Sequence, residues 1–155
     1  MALEIERKFK VLSSEYKNLG DPMYCKQGYL NLNNNPLIRI RIINDKAYLT
    51  MKGKNKGISR LEFEYEIPIN DANHMLKQYC PLPLIEKNRY HIKIKNTIWE
   101  VDEFLGENLG LVIAEVELLN EKSNFYKPSW IGEEVSNQIK YFNSKLIENP
   151  YSKWI

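Results

Sequence analysis

Glu4-Ile5-Glu6-Arg7-Lys8-Phe9 stands near the start of the chain with its acids at alternate positions. The spacing recurs in Glu62, Glu64 and Glu66, in Glu100 and Asp102, and in Glu115 and Glu117. Successive side chains of an extended strand point to opposite faces, so residues i and i+2 share one face roughly 6 to 7 Å apart. Like charges held that close repel. Their repetition on several strands implies a cation between them, and Mg²⁺ or Mn²⁺ is the simplest occupant of an all-oxygen site.

Positive charge follows the same spacing. Ile38-Arg39-Ile40-Arg41-Ile42 puts two guanidinium groups on one face and the isoleucines on the other, and Lys52-Gly53-Lys54 and Lys87-Asn88-Arg89 repeat the idea. Carboxylates that hold a divalent ion, opposite Arg and Lys that clamp phosphoryl oxygens, are the groups needed to bind or cleave a polyphosphate.

Period-2 alternation extends over residues 3 to 11, 26 to 32, 37 to 43, 46 to 53, 60 to 69, 86 to 95, 97 to 105 and 110 to 119. Turn chemistry separates these runs, at Asn33-Asn34-Asn35-Pro36, Asn44-Asp45, Lys54-Asn55-Lys56-Gly57, Lys95-Asn96 and Gly106 to Gly110. Short connections favour antiparallel neighbours. Three segments read as helices: Ser13 or Ser14 to Leu19, Asp71 to Tyr79 capped by Asn70, and Gly132 to Glu148, where Val135, Ile139, Phe142 and Leu146 form an apolar stripe.

Strands with one ionic face usually turn that face to water. Two features argue for the opposite arrangement here. The ionic faces carry almost none of the Ser, Thr and Gln that dilute a solvated face, and the signs segregate by strand, so opposite charges across a lumen would offset one another as half-buried charges require. The expected fold is therefore mainly β: an eight-stranded antiparallel closed barrel with a charged lumen, flanked by short helices, the C-terminal one packed outside or closing a mouth.

At 155 residues a single domain over the whole chain is expected. Net charge is only +2, from 22 Lys and Arg against 20 Asp and Glu, which excludes a global basic field for nucleic acid. Cys25 and Cys80 lack metal-ligand spacing, no signal peptide precedes them, and no apolar run is long enough to span a bilayer. A soluble cytoplasmic protein is expected, without nucleic-acid or membrane partners, as a monomer or a homodimer. His74 and His91 have no ligand-spaced partner, and Trp99, Trp130 and Trp154 read as packing residues. No P-loop, nucleophile elbow or HExxH helix is present.

The Glu4-x-Glu6-x-Lys8 opening resembles the ExExK signature of the CYTH superfamily, the triphosphate tunnel metalloenzymes. The likeness continues through Gln27-Gly28-Tyr29-Leu30, Arg39-x-Arg41, Leu49-Thr50-Met51-Lys52, Ser59-Arg60-x-Glu62-x-Glu64-x-Glu66, Glu86-Lys87-x-Arg89-Tyr90, Trp99-Glu100-Val101-Asp102-x-Phe104, Glu115-Val116-Glu117 and Gly132-Glu133-Glu134-Val135. What the resemblance implies is an eight-stranded tunnel that takes a linear triphosphate along its axis with Mg²⁺ or Mn²⁺ at two sites. Glu4, Glu6, Glu115 and Glu117 would hold metal, with Glu62, Glu64 and Asp102 as further ligands, directly or through water. Arg39, Arg41, Lys52, Lys87 and Arg89 would clamp phosphate oxygens, with Arg60 added. Lys8 would join Glu4 and Glu6 in catalysis, touching the terminal phosphate or orienting the attacking water. Tyr29 reads as a packing residue on its own, and the motif match makes it a candidate at the tunnel mouth.

Within that superfamily the chain is most similar to compact bacterial inorganic tripolyphosphatases. The expected reaction is hydrolysis of inorganic tripolyphosphate to pyrophosphate and phosphate. The alternatives are a class IV adenylate cyclase making cyclic AMP, a nucleoside or thiamine triphosphatase, and a polyphosphate-binding module without turnover.

Overall fold

Alternation along the strands builds a wall with a charged inner and an apolar outer surface. The computed structural model describes residues 2–154. Its strands are β1 (Leu3–Val11), β2 (Met23–Tyr29), β3 (Leu37–Ile43), β4 (Lys46–Lys52), β5 (Ser59–Ile67), β6 (Ile85–Ile94), β7 (Thr97–Phe104), β8 (Val112–Glu117) and β9 (Ile131–Glu134), with helices α1 (Ile69–Gln78) and α2 (Lys145–Glu148). Every pairing is antiparallel, and the order β5-β4-β3-β2-β6-β7-β8-β1 closes through a β1–β5 pairing into an eight-stranded barrel. Lys95 and Asn96 both have positive φ, 47° and 67°, as a two-residue hairpin between β6 and β7 demands.

β1 carries the seam. One edge pairs along its length with β8, while the other is shared: residues 3–5 pair with β5, and Phe9 and Val11 pair with β9. Between these partners the Glu6 amide donates to the Ile58 carbonyl at 3.2 Å and the Lys8 amide to Ser136 Oγ at 2.9 Å.

The predicted helix over residues 132 to 148 does not form. Ile131–Glu134 extends as β9 because β1 offers unpaired backbone groups there, and a strand edge must be satisfied. The remainder is a 3₁₀ turn at Ile139–Tyr141 and the short α2. Only part of the expected stripe is buried: Val135 and Leu146 are enclosed, whereas Ile139 is 60% exposed. The predicted helix at residues 14 to 19 is a 3₁₀ turn over Glu15–Asn18, and α1 starts after Pro68 rather than Asn70.

Three apolar clusters support the barrel. Outside β1, β6, β7 and β8, Phe9, Tyr16, Tyr90, Trp99, Val116 and Trp130 pack together, with Phe9 and Trp99 edge to face at 5.4 Å. Outside β3 and β4, Ile40 and Ala47 meet Ala72 and Leu76 of α1. The third cluster lies inside one end, where the inward faces change from charged to apolar: Tyr29, Ile85, Phe104 and Ile113 meet Val135, Tyr141, Leu146 and Ile147 of the C-terminal segment. The barrel is therefore stoppered at that end. Trp154 packs edge to face on Tyr141 and Tyr151, both at 5.1 Å, so all three tryptophans are packing residues.

Gly28, which faces outward on β2, is fixed by crowding. A Cβ there would lie 2.9 Å from both Cys80 Cβ and Leu84 Cδ2. Gly28→Ala is expected to cost about 1 to 3 kcal/mol, as overpacking in a tight core does. An unchanged urea midpoint would show that the α1–β6 connection yields freely.

Candidate active site

The stoppered barrel encloses a cavity of about 240 Å³. Seven carboxylates line it (Glu4, Glu6, Glu62, Glu64, Glu100, Glu115 and Glu117), together with seven cations (Lys8, Arg39, Arg41, Lys52, Arg60, Lys87 and Arg89). The equal numbers explain how so much charge is tolerated under partial burial, since each sign supplies the partner the other needs. Neutralisation runs around the wall, between strands that are adjacent or one strand apart, rather than across the lumen as the sequence suggested.

On β1, β4 and β5, Lys52 Nζ lies 3.3 Å from Glu4 Oε1 and 3.0 Å from Glu62 Oε2, and Arg60 Nε is 3.5 Å from Glu4 Oε1. On β1 and β8, Lys8 Nζ sits 3.4 Å from both Glu6 and Glu115. Burial disfavours the Lys8 ammonium, but Glu115 and Glu6 outweigh it and hold the group above its ordinary pKa. Lys8 is therefore a fixed positive charge near neutral pH and not a base. Arg39 and Arg41 share Glu64 Oε2 at 3.3 and 3.4 Å, and the Thr50 hydroxyl donates to the same oxygen at 2.8 Å.

Deeper in the wall Asp102 is fully buried between two cations. Arg89 donates from Nε to Oδ1 at 2.8 Å and from Nη2 to Oδ2 at 2.9 Å, and Lys87 Nζ is 2.9 Å from Oδ2. Burial alone would raise Asp102, yet Arg89 and Lys87 hold it well below the usual carboxylate range. Asp102 does not reach the cavity, unlike the metal ligand expected from sequence; its oxygens are consumed by the two cations. Its strand neighbour Glu100 lines the cavity instead, accepting from Arg89 at 3.2 Å and lying 3.1 Å from His91 Nε2. The two acids share a face, and only depth along the barrel axis separates their roles.

Glu117 has no cation within ion-pair distance among the described residues. Burial, then Glu4, Glu100, Glu6 and Glu62, push its carboxyl up to about 7. Burial together with Glu6 likewise raises Glu115. Among the described residues no three His, Cys, Asp or Glu side chains already converge on one metal-sized point. The pairing with Lys8, Lys52 and Arg60 accounts for this, because each cation draws a carboxylate to itself. The donor set nevertheless suits a hard divalent ion: every candidate ligand is a carboxylate, and their mutual repulsion at Glu117 and Glu115 is what such an ion would relieve.

Tyr29 lines the cavity, at its stoppered end rather than at the mouth. It is 3% exposed, packs in the inner apolar cluster, and accepts from Gln27 Nε2 at 2.9 Å. Sequence reasoning counted Glu100 among the alternating acids but gave it no role in the site, and it missed Leu37, Phe142, Asn143 and Ser144, which also line the cavity. The last three lie in the segment read as a helix, where no local signal places them against the lumen.

Known proteins share this architecture. The CYTH domain model matches residues 2–151. An inorganic triphosphatase of Acetivibrio thermocellus is 51% identical over 154 residues, covering 99% of both chains, and one of Nitrosomonas europaea is 33% identical, covering 92% of this chain and 95% of that one. A crystal structure of an inorganic triphosphatase, 30% identical, superposes with a TM-score of 0.68 over 95% of each chain. A charged lumen inside a closed eight-stranded barrel, matched from end to end by these relatives, makes this chain a member of the CYTH family.

Proposed function

We propose that this chain hydrolyses inorganic triphosphate to pyrophosphate and phosphate inside the barrel, with divalent metal held by its carboxylates. The observation that carries the reading is the convergence of cations on one small cavity. Lys8, Arg39, Arg41, Lys52, Arg60, Lys87 and Arg89 all line it. Guanidinium and ammonium groups gathered on one walled space suit a chain of phosphoryl oxygens, which accept charge-assisted hydrogen bonds from them. The relatives named above as inorganic triphosphatases support the same substrate. Size does as well: about 240 Å³ falls below the roughly 300 to 1,000 Å³ of pockets for drug-sized ligands, so a nucleoside would remain outside.

Each residue then has a physical task. Arg39 and Arg41 offer planar forks to one stretch of the phosphate chain, while Lys52, Arg60, Lys87 and Arg89 add charge along the rest. Glu4, Glu6, Glu62, Glu64, Glu115 and Glu117 are the candidate holders of divalent ions, Mg²⁺ or Mn²⁺, at two sites. A bound divalent ion supplies neutralisation of phosphate charge and a more acidic water. Lys8, kept cationic by Glu6 and Glu115, stabilises negative charge that develops on the phosphoryl group in flight. Water is limited by the apolar stopper at one end.

The test is parallel incubation with tripolyphosphate, ATP and thiamine triphosphate in Mg²⁺, Mn²⁺ or EDTA, with all products identified. Metal-dependent phosphate release fastest from tripolyphosphate is expected. Faster release from ATP would overturn the substrate preference; cyclic AMP would place the chain with the cyclases, and saturable binding with no product would leave a binding module. Arg41→Ala is expected to raise KM for tripolyphosphate by about 10-fold or more, the value of a charge-assisted contact. An unchanged KM would remove Arg41 from the binding set.

A further inference from the structure

The C-terminal segment does more than stopper the barrel. Phe142, Asn143 and Ser144 form its edge on the cavity, and their position is anchored on both flanks by Tyr141, Leu146 and Ile147, all buried in the inner apolar cluster. The Lys145 amide donates to the Phe142 carbonyl at 2.9 Å and the Leu146 amide to the Asn143 carbonyl at 3.2 Å, which fixes the backbone at residue 143. The Asn143 side chain enters the wall. Its Oδ1 accepts from Lys87 Nζ at 2.8 Å and from Gln27 Nε2 at 3.3 Å.

Lys87 is 1% exposed, yet it lines the cavity. Its ammonium has three N–H groups. One faces Asp102 and one faces Asn143, with the Phe104 ring 5.6 Å from Nζ; the third has no hydrogen-bond acceptor among the described residues, and an anion in the cavity would supply one. The identity of residue 143 matters for charge. Asp102 is already shared with Arg89, so it offsets only part of the positive charge on the pair. A neutral amide can orient the ammonium without cancelling it, whereas a carboxylate at the same place would compete with phosphate for that charge.

We propose that Asn143 is a positioning residue for the triphosphate: it holds the Lys87 ammonium, uncancelled, toward the innermost phosphoryl group at the stoppered end. This rests on the triphosphate reading above. It also assigns the C-terminal segment, which supplies no charged residue to the cavity lining, a part in substrate recognition.

The experiment compares wild type, N143A and N143D by steady-state kinetics on tripolyphosphate with Mg²⁺ or Mn²⁺, by calorimetric binding of tripolyphosphate in EDTA, and by thermal melting without ligand. N143D is expected to raise KM, and Kd in EDTA, by about 10-fold or more, the lower end for a charged contact. Its melting temperature should equal or exceed that of wild type, because the new carboxylate gives Lys87 a second partner. N143A should raise KM less, with kcat changed less than KM. A residue with only a packing role would lower the melting temperature in N143A and leave KM and Kd alone in N143D, and that result overturns the proposal. If wild type binds tripolyphosphate but cleaves none, the hydrolytic reading falls while the Kd of N143D still decides the role of Asn143. If wild type does not bind it at all, both fall.

Discussion

Glu117→Gln is expected to abolish metal-dependent turnover, by at least about 100-fold, while making the metal-free protein more stable above neutral pH. Both effects come from the same crowding. Glu117 faces Glu4, Glu6, Glu62 and Glu100 without a cation of its own among the described residues, and its carboxyl titrates at about 7 instead of 4.5. The folded state thus keeps a proton that the unfolded chain releases. Stability of the metal-free protein must therefore fall as pH rises from about 4.5 to about 7 and stay lower beyond. Gln carries no such penalty. In EDTA at pH 8 the variant should melt above wild type, and the two should converge near pH 4.5. The side chain is partly open to solvent, so screening limits the size of the gain and the sign is the observable. Added Mg²⁺ or Mn²⁺ should raise the melting temperature of wild type much more than that of the variant. Wild-type kinetics in Glu117→Gln would count against the carboxylates as metal holders.

Asp102→Ala should act on the fold itself. It leaves Lys87 and Arg89 buried with no shared carboxylate, and breaking such a group by removing one partner costs about 3 to 5 kcal/mol. For a chain of 155 residues that corresponds to a drop in Tm on the order of 10 °C. The pH dependence has the opposite sign to that of Glu117. Asp102 is depressed below its ordinary 3.8, so its contribution is present above that value and fades as the solution becomes more acidic. Urea titrations at pH 7 and pH 3 should show the variant far less stable at the higher pH and closer to wild type at the lower one. Equal stability at pH 7 would mean that the buried ion group is replaceable by water.

The strands were legible because their signal is local. Ile38 to Ile42 states its two faces in five residues, and the same alternation gave β1, β4, β6 and β7 nearly to their ends. Charges concentrated on one face, with few diluting polar residues, were enough to put that face inward. What alternation cannot encode is depth. Glu100 and Asp102 lie on one face of β7, and only the stagger of β6 and β8 decides that one meets the cavity while the other is enclosed by Lys87 and Arg89. Tyr29 is a second instance, inward as its strand requires but at the end filled by the C-terminal segment. That segment defeated the reading because its helical stripe competes with an offer made by a distant strand: the free edge of β1, more than a hundred residues earlier in the chain. Asn143 went unseen for the same reason.

The shared edge of β1 also sets the order in which this molecule can be made. During synthesis the first strand leaves the ribosome long before β8 and β9 exist, so its pairings with residues 113–117 and 131–134 must wait for nearly the whole chain. Hairpins such as β3–β4 and β6–β7 need only their neighbours and can form early, whereas closure spans the largest sequence separations in the fold and carries the largest loop-closure entropy. Glu6 and Lys8, which stand opposite Glu117 and Glu115 of β8, therefore reach their places late. A nascent chain has no assembled site until its barrel shuts.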